Sequence, residues 1–228
     1  MTEAKMIEQF LREKFQKPQL GVVGQVLKEA PEYSYKIVRT EPHTAAGIFD
    51  GVELFWVWVE DNYLGQPLVP GNHSRGLFAS TADTIWYIDT TEPQGLPKLL
   101  PFLAISAVDA AGGLAAVVCD GLLSTGKEGY QVVTSTAGIQ QLAKERSFTA
   151  TALNDAAVLE LQDIVREPQY TGESSGPLIG TLRFFALAGP GVGAKRLSEV
   201  TAEIAGNEPI RISERILCDR ILTSLNRR

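Results

Sequence analysis

The sequence predicts a mixed α and β protein: one mixed sheet, antiparallel in the N-terminal half and partly parallel in the C-terminal half, flanked by helices. Before residue 90, short apolar runs are bounded by turn formers, as in antiparallel strands. After residue 110, runs at helical spacing alternate with strand-like runs, as in βαβ crossovers. A third observation is the stretch from Thr181 to Ala205, TLRFFALAGPGVGAKRLSEVTAEIA, which joins an aromatic strand to a glycine loop and then to helical spacing. There is no internal repeat and no linker that forces a boundary, so residues 1–228 read as a single globular domain.

Met6, Ile7, Phe10, Leu11 and Phe15 recur at three and four residues, with Thr2 as N-cap and Pro18 as stop. That is an amphipathic helix, either the cover of its own sheet or a dimer arm. Leu20 to Leu27 and Tyr33 to Thr40 follow as half-buried strands. Asp50-Gly51 is a hairpin signal leading into Val52 to Val59, VELFWVWV. This run has no polar face, which places it at the centre of the sheet with Trp56 and Trp58 buried. Gly65 to Gly76 is a loop by its Gly and Pro content and carries His73 and Arg75; Leu77 to Ala79 and Thr84 to Asp89 read as strands.

Leu96 to Ala111 is apolar nearly all round, with proline in its opening turn and Gly112-Gly113 at its end, and reads as a buried helix. Leu114 to Cys119 is a short strand turned by Asp120-Gly121, and Gly121 to Gly129 a second glycine-containing loop. A helix from Ser135 through Arg146 and a short strand from Phe148 to Thr151 come next. Asn154 or Asp155 then caps a helix striped by Ala157, Val158, Leu161, Ile164 and Val165 and closed by Pro168. Gln169 to Gly180 is a lid or surface excursion. Leu182 to Leu187 is a strand, and Leu197, Val200 and Ile204 stripe a helix ended by Gly206. Ser213 caps a last helix with Ile216, Leu217, Ile221 and Leu225.

The formal net charge is −6, which disfavours a nucleic-acid binder whose affinity must come from neutralising phosphates. Hydrophobic residues make up 44%, enough for a substantial core. From Lys195 onward seven bases outnumber five acids, so the C-terminal end is locally basic. Cys119 and Cys218 lie far apart in apolar contexts, which suits a reducing cytoplasm. The charged N-terminus is no signal peptide, and no run approaches the roughly 18 apolar residues of a membrane span.

The chemistry centres on Gly189, Gly191, Gly193, Ala194, Lys195 and Arg196. GPGVGA satisfies G-x-G-x-x-A, but only 34 residues follow Ala194 and the nearest acid in an apt spot, Glu208, comes too early; GPGVGAK is a near miss to a P-loop, with Ala194 where Gly and Arg196 where Ser or Thr is required. Lys195 and Arg196 fall in the first turn of the expected helix, where each cation costs roughly 0.3 to 1 kcal/mol against the dipole. A bound phosphate or carboxylate would offset this; so would a salt bridge, for example from Glu173. His73 and Asp120 are the candidate acid–base groups. No H-x-x-x-H, C-x-x-C or G-x-S-x-G arrangement is present, so no metal ligand is assigned and no cofactor named. The sequence thus points to a cytosolic protein that binds an anionic small molecule, phosphate- or carboxylate-bearing, whether or not it acts on it. The alternative is a non-catalytic assembly protein forming a homo-oligomer.

Overall fold

The computed structural model describes residues 7, 33–67, 74–90, 95–124, 129–135, 161, 164–173, 177–189 and 193–223. These residues form two five-stranded sheets in which every described pairing is antiparallel. This corrects the expected single mixed sheet with a partly parallel C-terminal half and flanking helices. The chain divides into two compact units, Met1–Ala46 with Gly51–Ile88 and Gly47–Asp50 with Asp89–Arg228.

In the first unit, β1 (Tyr33–Pro42), β2 (Glu53–Tyr63), β4 (Ser74–Ser80) and β5 (Ile85–Tyr87) lie in that order, and β3 (Gln66–Pro67) also pairs with β2. The VELFWVWV run therefore is central, as its lack of a polar face requires. One face buries Phe55, Val57 and Val59 with Phe78, Tyr87 and the helical residue Ile7. On the other face Leu54 and Trp56 are buried while Trp58 is only half-buried, against the expectation that both tryptophans are covered. Gly51 has a positive φ at the entrance to β2, but it does not close a tight hairpin: residues 43–52 form the link. The tight turn is instead Leu64-Gly65, whose φ values of 52° and 74° join the paired residues Tyr63 and Gln66. Both central residues at positive φ is the type I′ pattern.

In the second unit the sheet order is β10 (Arg211–Thr223), β9 (Gly193–Ala205), β8 (Ile179–Gly189) and β6 (Gly129–Val133). β7 (Gln169–Glu173) shares the outer edge of β8 with β6, along Ile179–Arg183. The helix expected over Leu197 to Ile204 is thus strand β9, and the last helix expected from Ser213 is strand β10. The segment expected as a lid, Gln169 to Gly180, supplies β7 and the start of β8. The physical reason is that β9 lies between two strands, with one face buried along its length and the other buried only at Leu197. Ser198, Val200, Ala202 and Ile204 are buried on one side and Leu197 on the other. Val200 and Ile204, four apart, share a face in a strand as they do in a helix, and Leu197, from the opposite face of the strand, completes the helical spacing. β-branched Val200, Thr201 and Ile204 favour the strand.

The expected helix from Leu96 to Ala111 is broken. A single turn α1 (Leu96–Leu99), with Pro97 in its first positions, passes into a 3-10 turn over Leu100–Phe102, and Leu103 then bridges to Phe49. Ser106 accepts the Asp109 amide at 3.2 Å and donates to its carboxylate at 2.6 Å, ordering the approach to α2 (Ala111–Ser124). Gly112 and Gly113 open α2 instead of ending a helix, and Leu114 to Cys119 lies within it, correcting the expected strand. The Leu20–Leu27 and Phe148–Thr151 strands lie outside the described residues, as do most of the helices expected at the N-terminus, after Ser135 and after Asn154. Of the last, Leu161 is helical and buried.

Candidate functional site

The glycine loop changes character once its second arm is a strand. Gly189 ends β8 opposite Gly129, and Gly193, Ala194 and Lys195 begin β9 opposite Thr223, Leu222 and Ile221. Gly191 lies outside the described residues. The unit is a hairpin, so the helix N-terminus that motivated an anion cradle there is not present, and a strand carries only a small net dipole.

Arg196 has an acidic partner, and it is Glu214 on β10. Its Nε and Nη2 donate to the two carboxylate oxygens at 2.8 and 3.1 Å. The wholly buried Ser198 hydroxyl donates to Oε1, and Tyr130 of β6 donates to Oε2 at 3.2 Å. Hydrogen bonds from Arg196 hold the Glu214 carboxyl below the usual range, against the effect of burial, with Ser198, the Arg196 charge and Tyr130 adding to it. Burial and then Glu214 push the Tyr130 phenol up. Four donors satisfy this carboxylate, which makes it a brace between strands. A carboxylate held this firmly ionised is also a weak general base.

His73 lies outside the described residues. Asp120 sits inside α2, half-buried, beside Cys119, whose thiol is pushed up by burial first and Asp120 second.

The opposite face of the same sheet forms a groove. In antiparallel pairing, residues directly opposite share a face. Gln169 lies opposite Arg183, and in the neighbouring row Phe185 lies opposite Glu199, which in turn faces Arg215. Ile164, Arg166 and Glu167, from the segment before β7, line a cavity of about 250 Å³ together with Gln169, Arg183, Phe185 and Glu199. The apolar cluster of Val133, Leu161, Val165, Leu187 and Leu197 packs around Phe185 and fixes this floor. Arg215 holds Glu199 closely, through Nε at 2.9 Å and Nη2 at 2.7 Å, whereas Arg183 reaches it only through Nε at 3.5 Å. The Glu199 side chain is 15% exposed and that of Arg183 60%. Two guanidiniums therefore share one largely buried carboxylate, and the looser of the two lines the cavity.

Sequence reasoning missed this site. Arg183 alternates with Phe185 along β8, a pattern visible in TLRFF, but the partner that makes it informative, Glu199, was assigned to a helix. Among the described residues no group of three or more His, Cys, Asp or Glu side chains is placed to hold a metal ion, and no helix is long and apolar enough to cross a membrane. Compared with known proteins, the chain matches no family model, no curated sequence and no solved structure, so the functional reading rests on its own residues.

Proposed function

We propose that this chain is a cytosolic protein that binds an anionic, phosphate- or carboxylate-bearing small molecule in the groove of the second unit, with Arg183 as its principal contact. One observation carries the reading: Arg183 is loosely paired, mostly exposed and set in a concave site over an apolar floor. Counting Arg215 on Glu199, three arginines stand against two glutamates around the groove, a surplus of one positive charge. A guanidinium offers a planar fork that matches carboxylate and phosphate geometry. Phe185 and Ile164 supply the apolar wall that a small-molecule site needs beside its polar groups. Cys119 and Cys218 are both thiols, as a reducing cytosol keeps them.

A thermal-shift screen tests this. Phosphosugars, inorganic phosphate and di- and tricarboxylates should raise the melting temperature, and their uncharged analogues should not. Shifts of equal size for charged and uncharged members of each pair would refute an anion site.

A further inference from the structure

We propose that the first unit carries a separate phosphate site, formed by Arg39 and Arg75 on the tryptophan pair of β2. It is independent of the groove reading and uses only residues of β1, β2 and β4. The register sets Arg39 opposite Trp58 on one side and Arg75 opposite it on the other, so the three form one row across three strands on a single face. The Arg39 guanidinium carbon lies 4.1 Å from the centre of the Trp58 ring, and that of Arg75 lies 4.6 Å from Trp56. The two indoles are 6.1 Å apart. Each planar cation is thus held on its own indole by a cation–π contact, which occupies a face and leaves the in-plane N–H groups at its edge for a ligand.

Charge on this face favours an anion at Arg75. Lys36 lies opposite Glu60, and Arg39 donates to Glu41 at 3.0 Å. Arg75 is exposed and, among the described residues, has its indole contact and no carboxylate partner. The Arg39–Glu41 pair is about half exposed on both sides, at 56% and 48%, so an incoming dianion can replace Glu41 at little cost. The row runs across only three strands, roughly 10 Å of backbone, and presents two cations, which suits a small dianion and not an extended polyanion. The indole faces are already covered by guanidiniums, so they offer no platform for bases. The ligand class is therefore a small phosphate monoester.

The site has its own reporter, because the chain's three tryptophans, Trp56, Trp58 and Trp86, all belong to the first unit. Inorganic phosphate and glycerol 3-phosphate are titrated at constant ionic strength while indole emission is followed. A saturable change is expected in the wild-type chain. Arg75→Gln and Arg39→Gln should each weaken apparent affinity about tenfold or more, and Arg75→Lys, which keeps the charge and loses the fork, should fall between. No saturable change with either phosphate would overturn the proposal. So would a change that neither Gln variant alters, or a response to a single-stranded RNA oligonucleotide without one to phosphate. Loss of groove binding in an Arg183 variant bears on the groove alone, since no tryptophan lies in the second unit.

Discussion

Replacing Glu214 tests how the second sheet is held together. Glu214→Ala removes four hydrogen bonds at once: two from Arg196, one from Ser198 and one from Tyr130. Bonds to charged groups contribute about 1.5 to 3 kcal/mol each when well buried, and exposed ion pairs contribute about 0 to 1 kcal/mol. Arg196 and Glu214 are 26% and 21% exposed, so their pair falls between these limits. The Ser198 hydroxyl is wholly buried and loses its acceptor, which adds about 1 to 3 kcal/mol by itself. Because these effects overlap, we expect a loss of about 2 to 4 kcal/mol for Glu214→Ala. Glu214→Gln, which keeps an acceptor for Ser198, should lose about half of that.

Urea unfolding followed by far-UV circular dichroism is the assay, since tryptophan emission reports only the first unit. The pH dependence has a definite sign. The folded carboxyl titrates below its unfolded value, so its contribution is present above the unfolded value and is lost as pH falls through the folded one. Tyr130 is shifted upward, so its contribution is present below the ordinary phenol value and is lost as pH rises through the folded one. Glu214→Gln should flatten the acid limb. A loss below about 0.5 kcal/mol for Glu214→Ala at neutral pH would refute the brace.

Two further expectations follow from single residues. Leu64 holds φ 52° while its side chain is 66% exposed, so Leu64→Asn relieves a left-handed strain without emptying the core; the urea midpoint should rise by an amount worth about 0.5 to 1 kcal/mol, and a fall would contradict the turn assignment. Cys119 is buried and its thiol is shifted up, whereas Cys218 is only partly buried; a thiol reagent at neutral pH should modify Cys218 in the native chain and reach Cys119 only on unfolding, and equal native rates would contradict this placement.

How much was legible in the sequence varies with how completely each strand is covered. β1 and β2 were readable because Tyr33 to Thr40 alternates and because VELFWVWV is a short, unbroken run rich in β-branched and aromatic residues, as a strand covered on both faces is. β9 and β10 were not. Val200 and Ile204 share a face in a helix and in a strand alike, and the distinction depends on pairing with β8, a long-range fact that local spacing cannot carry. That error moved the site, because Lys195 and Arg196 suggested an anion only against a helix dipole. Of the two ways to neutralise the cations, a bound anion or a salt bridge, Arg196 has the salt bridge, to Glu214 and not to Glu173. The groove residues could not be grouped beforehand: Arg183 and Glu199 are brought together only by the β8–β9 register, and Arg215 joins them through β10.

The central claim, an anion bound by Arg183 in the groove of the second sheet, is tested most directly by calorimetric titration of the tightest anion from the thermal-shift screen into the wild-type chain and into Arg183→Gln and Arg183→Lys. Losing a charge-assisted contact of about 1.5 to 3 kcal/mol should weaken binding by roughly tenfold to a hundredfold in the Gln variant, and less in the Lys variant. Unfolding midpoints should change by under about 1 kcal/mol, because Arg183 is 60% exposed and Arg215 still holds Glu199. An Arg183→Gln chain that binds the anion with unchanged affinity would contradict the account.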